Sequence, residues 1–169
     1  MSHVTERPQT GQRRTLTTQT VHLLGALPFL RGMPLPQLAE LSRLCEHVTF
    51  ADGQRLFDEG ARADRFWIID AGQVMLDASV PGRGRIIVEA LGRSDVVGLS
   101  WMQPPYQWRL GAVTGQPTQA FAFDAPAARA ACDADPVLGY ELSRRFSAVA
   151  LRRLQATRAR LIDVCASTL

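Results

Sequence analysis

The chain contains no lysine and no asparagine, and all 19 of its basic residues are arginine. A bias that uniform makes the net charge of +3 a weak argument for nucleic-acid binding. Histidine occurs only as His3, His22 and His47. No two of these share a candidate strand, so a metal-dependent sandwich enzyme would lack its ligand triad. Cysteine occurs as Cys45, Cys132 and Cys165, with no CxxC pair. That argues against a structural zinc or an iron–sulfur cluster, and the odd count and apolar neighbours fit reduced thiols in a cytoplasmic protein. No haem-attachment motif occurs, and no serine or cysteine has a base partner at readable spacing. No apolar run approaches membrane-spanning length, and the N-terminus lacks the apolar stretch of a secretory signal. These absences point to a non-enzymatic cytoplasmic protein with no membrane association.

What remains is globular. The chain has 169 residues, 46% of them hydrophobic, enough for one domain and an appendage. Residues 1–20 are polar and rich in Thr, Gln and Arg, and are expected to be disordered. Residues 21–135 are expected to form a mainly β domain with flanking helices. Leu24, Leu27 and Leu30 make an apolar patch. Leu38, Leu41, Leu44 and Cys45 recur at helical spacing, predicting a helix over 37–46 with His47 at its end. From Val48 to Asp124 short apolar runs alternate with turn residues. The candidate strands are Val48–Phe50, Arg55–Phe57, Phe66–Asp70, Gln73–Ser79, Arg85–Leu91, Val96–Val97, Leu110–Thr114 and Gln119–Asp124. Many short strands at regular spacing predict a β-sandwich or jelly roll.

Asp124-Ala125-Pro126 opens a short helix, and Asp135-Pro136 a long one. Residues 136–169 form this last unit, whose helix spans roughly 30 residues, about 45 Å at 1.5 Å per residue. That is longer than a sandwich covers, and a second copy of the helix is the simplest partner. Leu151, Leu154, Arg158, Leu161 and Cys165 are its expected interface. The arginines at 144, 145, 152, 153, 158 and 160 read as a solvated face.

The stretch FDEGARADRFWIIDAGQVML, Phe57 to Leu76, is the most informative. With Asp52-Gly53 before it, and turns at Gly60 and Gly72, it resembles the start of the cyclic-nucleotide-binding domain of the Crp–Fnr and protein-kinase-A regulatory families. The phrase Leu151-Arg152-Arg153-Leu154-Gln155-Ala156-Thr157 is similar to the family's dimerisation helix. The resemblance implies a double-stranded β-helix and a sensor's role, in which a cyclic nucleotide or other small anionic effector controls an unidentified partner protein. It also implies binding residues: Gly98 matches the glycine of the phosphate-binding cassette, Arg109 its arginine, and Thr157 a threonine that reaches the base. Arg158 stands where the family has a serine donated across the dimer. No helix-turn-helix follows the long helix, so no sequence-specific DNA binding is expected.

Two departures stand out. Leu99 replaces the cassette glutamate that takes the ribose hydroxyl, a loss of roughly 1–3 kcal/mol. Leu110 and Gly111 replace the small residues after the arginine. Ser100 is placed to take part of the lost role. Trp101, Tyr106 and Trp108 have no counterpart, and suit either a stacking platform or a plug. The ligand-binding set is therefore Gly98, Leu99, Ser100, Trp101, Arg109, Leu110 and Thr157, with no metal. The competing reading is an interaction or scaffold protein whose cavity is closed.

Overall fold

The computed structural model describes residues 10–167, with residues 10–17 described for their backbone alone. Leu24, Leu27 and Leu30 are buried, and they anchor the first helix, α1 (Thr10–Ala26), at its C-terminal end. The segment expected to be disordered through Thr20 is thus helical from Thr10, and residues 1–9 lie outside the described residues. Gln12, Arg13, Arg14 and Leu16 are good helix formers, so the helix extends backwards from its packed end.

Pro36 stands in the first turn of α2 (Leu35–Arg43), where a missing N–H costs nothing, and Leu38 and Leu41 face the core. α2 stops earlier than its leucine spacing implies, because Cys45 already pairs with Phe123 and opens β1 (Cys45–Phe50). Strand pairing overrides the helical period there. His47 is accordingly a strand residue and not a helix end. Its Nε2 lies 3.2 Å from Asp70 Oδ2, and its ring meets Phe121 edge-on at 4.9 Å. Burial pushes the neighbouring Cys45 thiol up to about 12, the mark of an unreactive core thiol.

The remaining strands are β2 (Arg55–Phe57), β3 (Arg65–Val80), β4 (Gly84–Leu91), β5 (Val96–Val97) and β6 (Gly111–Asp124). They pair antiparallel in the order β1-β6-β3-β4, with β2 on β6 and β5 on β3. This is a jelly roll with flanking helices. Two pairs of expected strands are each one long strand, β3 and β6, bent by register shifts near Gly72. Phe66, Trp67, Ile68 and Ile69 are all buried, so β3 is covered on both faces there. Farther along β3, Asp77 is buried and paired with Arg55 Nη1 at 2.5 Å.

Asp124 caps α3 (Ala125–Ala134) by accepting from Ala127 N at 2.7 Å. Asp135 does the same for α4 (Pro136–Ala166) at Val137 N, and accepts a 2.8 Å bond from Gln37 Nε2 of α2. α4 has 31 residues. Its first half buries Leu138, Leu142, Phe146 and Val149, while Leu151, Leu154, Leu161 and Ile162 are exposed.

Gly72 carries the bend of β3 at φ +97°, and a Cβ there would stand 2.5 Å from Pro117 O and Thr118 Oγ1. Left-handed strain and collision with β6 backbone add. Gly72→Ala is expected to lower stability by about 3 kcal/mol or more in urea unfolding. A loss under about 1 kcal/mol would show that the two long strands move apart easily.

Candidate ligand-binding site

Between β5 and β6 the chain leaves the sheet, makes a 3-10 turn at Ser100–Met102, and returns through Trp108. The return is held by backbone bonds to the loop after β2: Gly60 N donates to Trp108 O (2.8 Å), Trp108 N to Ala61 O (2.9 Å) and Ala63 N to Tyr106 O (2.7 Å). This sets the Trp108 indole flat on Phe57, ring centroids 4.0 Å apart. It also presses the indole onto Gly98, where a Cβ would come within 2.7 Å of the ring, at φ +92°. Only glycine leaves room for both the backbone turn and the tryptophan.

A cavity of about 370 Å³ opens above this floor. That lies in the range of small-molecule sites, roughly 300–1,000 Å³. Gly98, Leu99, Ser100, Arg109, Leu110 and Thr157 line it together, so six of the expected binding residues converge. Arg109 is exposed and makes no ion pair or hydrogen bond among the described residues. Trp101 is not in the cavity. Its ring is buried, stacked on Phe66 at 4.5 Å and edge-on to Phe146 at 5.4 Å, and its Nε1 has no partner among the described residues. The third aromatic, Tyr106, lies under Arg129 of α3 at 4.2 Å, and Arg129 Nη1 donates to Trp101 O at 2.7 Å. The aromatic phrase is therefore a bracket that positions the turn, with one ring, Trp108, in the cavity wall.

Phe57, Leu76, Glu89, Trp108, Arg153 and Leu154 also line the cavity. Of these, Arg153 corrects the reading of the α4 arginines as a solvated face. Its guanidinium donates to Val96 O, its Nε lies 3.5 Å from Glu89 Oε1, and burial pulls its pKa below the usual value while Glu89 offsets this. Arg160 Nη1 donates to Val88 O at 2.7 Å, and Arg145 to Arg31 O at 3.1 Å. A signal existed: Leu142, Phe146, Val149, Arg153 and Arg160 share one helical stripe. Arg144, Arg152, Arg158 and Arg160 do remain exposed. Glu89 also had a signal, since it sits in phase with buried Leu91 on β4.

A larger hollow, about 580 Å³, lies between Phe29 and α4 and is lined by Arg144, Arg145 and Arg152. It brings together none of the residues matched above, and Arg145 there is already committed to Glu141 at 3.0 Å. The matched residues converge on the smaller cavity instead.

No family model matches the chain. It is 27% identical to the CRP-like cAMP-activated global transcriptional regulator of Mycobacterium tuberculosis over 142 residues, which are 84% of this chain and 62% of that protein. The chain thus spans less than two thirds of the relative's length. Among solved structures, a cyclic nucleotide-binding domain from Methylobacillus flagellatus superposes with a TM-score of 0.73 at 15% identity, covering 88% of this chain and 84% of that one. A cAMP-binding acyltransferase from Mycobacterium smegmatis gives 0.58 at 22% identity, covering 67% of this chain and 35% of that one. The chain has the fold of the cyclic-nucleotide-binding domains. Within that class it resembles the CRP-like sensors.

Because Trp101 is core and not cavity, Trp101→Ala is expected to cost about 3–5 kcal/mol of stability, read by chemical denaturation. A loss under about 1 kcal/mol would return Trp101 to the cavity side of the turn.

Proposed function

We propose that the chain is a non-enzymatic sensor module whose cavity binds a small anionic effector of the nucleotide type. The observation that carries this reading is Arg109: an unpaired guanidinium in a preformed cavity whose other charged groups are one arginine and one glutamate. A cation without a partner in a partly apolar wall is matched by an anion, and a guanidinium fork suits phosphate. Gly98 lets the backbone approach closely, Trp108 and Phe57 offer a face for a base, and Thr157 offers a hydroxyl. The reading extends to action in the cytoplasm on a partner protein, with cAMP, cGMP or a related anion as the effector. The competing reading, an interaction protein with a closed cavity, draws on Trp108 lying against Gly98 and on Leu99 in the glutamate's place.

Calorimetry with cyclic AMP separates them. Wild type binds, and Arg109→Ala loses about two decades of affinity or more. Arg109→Lys is intermediate because the fork is gone. Leu99→Glu strengthens binding by about tenfold. Binding unchanged by Arg109→Ala would overturn the anion site, and no binding of any nucleotide would favour the closed cavity.

The same reading includes a homodimer through α4. Leu151, Leu154, Arg158, Leu161 and Cys165 follow alternating steps of three and four residues, the seam of a two-stranded coiled coil, and all are exposed in the single chain. In analytical ultracentrifugation, wild type is expected to be dimeric and Leu161→Glu monomeric at about tens of micromolar. Leu161 is the cleaner choice because Leu154 also lines the cavity. A monomeric wild type would refute the dimer.

A further inference from the structure

β4 places one carboxylate where an apolar side chain is expected. Leu91 and Glu89 share the inner face of the strand, with Val88 and Ala90 turned outward. Glu89 pairs across the sheet with Leu76, and both line the cavity. The register shift that follows, from Glu89 opposite Leu76 to Ile87 opposite Asp77, is a bulge that turns the strand locally. The Glu89 side chain is only 22% exposed. An inward carboxylate is costly unless something uses it.

Inside the protein little does. Among the described residues its one charged contact is Arg153 Nε at 3.5 Å, too long for a strong hydrogen bond, and Glu89 accepts no hydrogen bond from any of them. Arg153 spends its short bond on Val96 O instead. A carboxylate offers about four acceptor positions, so most of the capacity of Glu89 is open to the cavity. It is also the only acidic side chain in the lining.

We propose that Glu89 reads the ligand, supplying from β4 the carboxylate that Leu99 does not supply from the cassette. The ligand is then an anion that also carries a hydrogen-bond donor, either a sugar hydroxyl or the amino group of a base. This rests on the anion reading of the cavity. Arg109 holds the negative end, and Glu89 rejects anions that have no donor to satisfy it, because closing the cavity over a bare carboxylate leaves it unpaired. Free phosphate and simple carboxylates are excluded on that ground.

The test compares three probes by calorimetry: cyclic AMP, its 2′-deoxy form, and cyclic purine riboside monophosphate, which lacks the amino group. Wild type should bind cyclic AMP at least about tenfold more tightly than one of the two analogues, and which one identifies the donor. Glu89→Ala should weaken cyclic AMP about tenfold and bring all three probes within about twofold of one another. Glu89→Gln, which keeps an acceptor oxygen, should retain part of the discrimination. Arg109→Ala should weaken all three alike and leave their ratios unchanged. If wild type and Glu89→Ala discriminate equally while Arg109→Ala abolishes binding, Glu89 is only a tether for Arg153 and this inference fails alone. If no probe binds wild type, it fails together with the anion reading. Melting temperatures without ligand confirm that each variant is folded.

Discussion

Phe66 is the residue on which the rest of the molecule leans. Its ring stacks on Trp101 at 4.5 Å and on Phe123 at 4.6 Å, and meets Phe146 edge-on at 5.4 Å. Those four rings belong to β3, the cassette turn, β6 and α4. Aromatic stacking brings a large buried area and a preferred geometry. One cluster therefore fixes the sheet, the turn after β5 and the angle at which α4 leaves the roll. The cavity is built on the far side of the same turn. Its shape follows from where Trp101 is pinned, because Gly98 and Trp101 are three residues apart and Trp108 returns against Gly98.

How much of this was legible in the sequence depended on whether a period existed to be read. The jelly roll, the long helix and six of the cavity residues came through, because strand alternation, helical spacing and the matched glycine and arginine all carry position. The aromatic phrase did not resolve. Trp101 and Trp108 stand in an irregular segment with two prolines between them, and such a segment has no repeat to say which ring turns inward. The merging of four expected strands into β3 and β6 was hidden for a related reason. Gly72 reads as a turn, and residues 115–118 fall between two expected strands, yet here both places only bend strands that stay paired across the irregularity. Sequence reading also grouped the α4 arginines by charge, when their phase along the helix separated Arg153 and Arg160 from Arg158.

That phase gives α4 two working faces. Phe146, Val149, Arg153 and Arg160 face the roll, Leu151, Arg158, Leu161 and Cys165 face away, and Leu154 lies at the border, exposed yet lining the cavity. The bonds of Arg153 to Val96 O and Arg160 to Val88 O are polar clamps beyond the point where apolar packing ends at Val149. A largely buried bond from a charged donor, as at Arg153, contributes about 1.5–3 kcal/mol, and an exposed one, as at Arg160, about 1 kcal/mol or less. The distal half of the helix is thus held mainly by two such bonds, while the proximal half is held by core. A helix secured in this uneven way is firm at its base and adjustable along its outer turns.

The cavity lies where these two regimes meet. Arg153, Leu154 and Thr157 line it, so one wall belongs to the adjustable part of α4 while its floor, Phe57 and Trp108, belongs to the rigid roll. Glu89 and Arg153 stand together in this wall, and Arg153 is the same group that holds Val96, two residues before Gly98. A ligand held there would touch both the roll and α4. A ligand shifts a conformational equilibrium only by its difference in affinity between the two states. In this cavity such a difference would have to come from contacts with Arg153, Leu154 and Thr157, the lining residues that α4 supplies. A difference of about 1.4 kcal/mol between two such states would change their ratio tenfold. Leu151 and Leu154, the first positions of the exposed seam, lie within one turn of Arg153, so the seam and the clamp share the same stretch of α4.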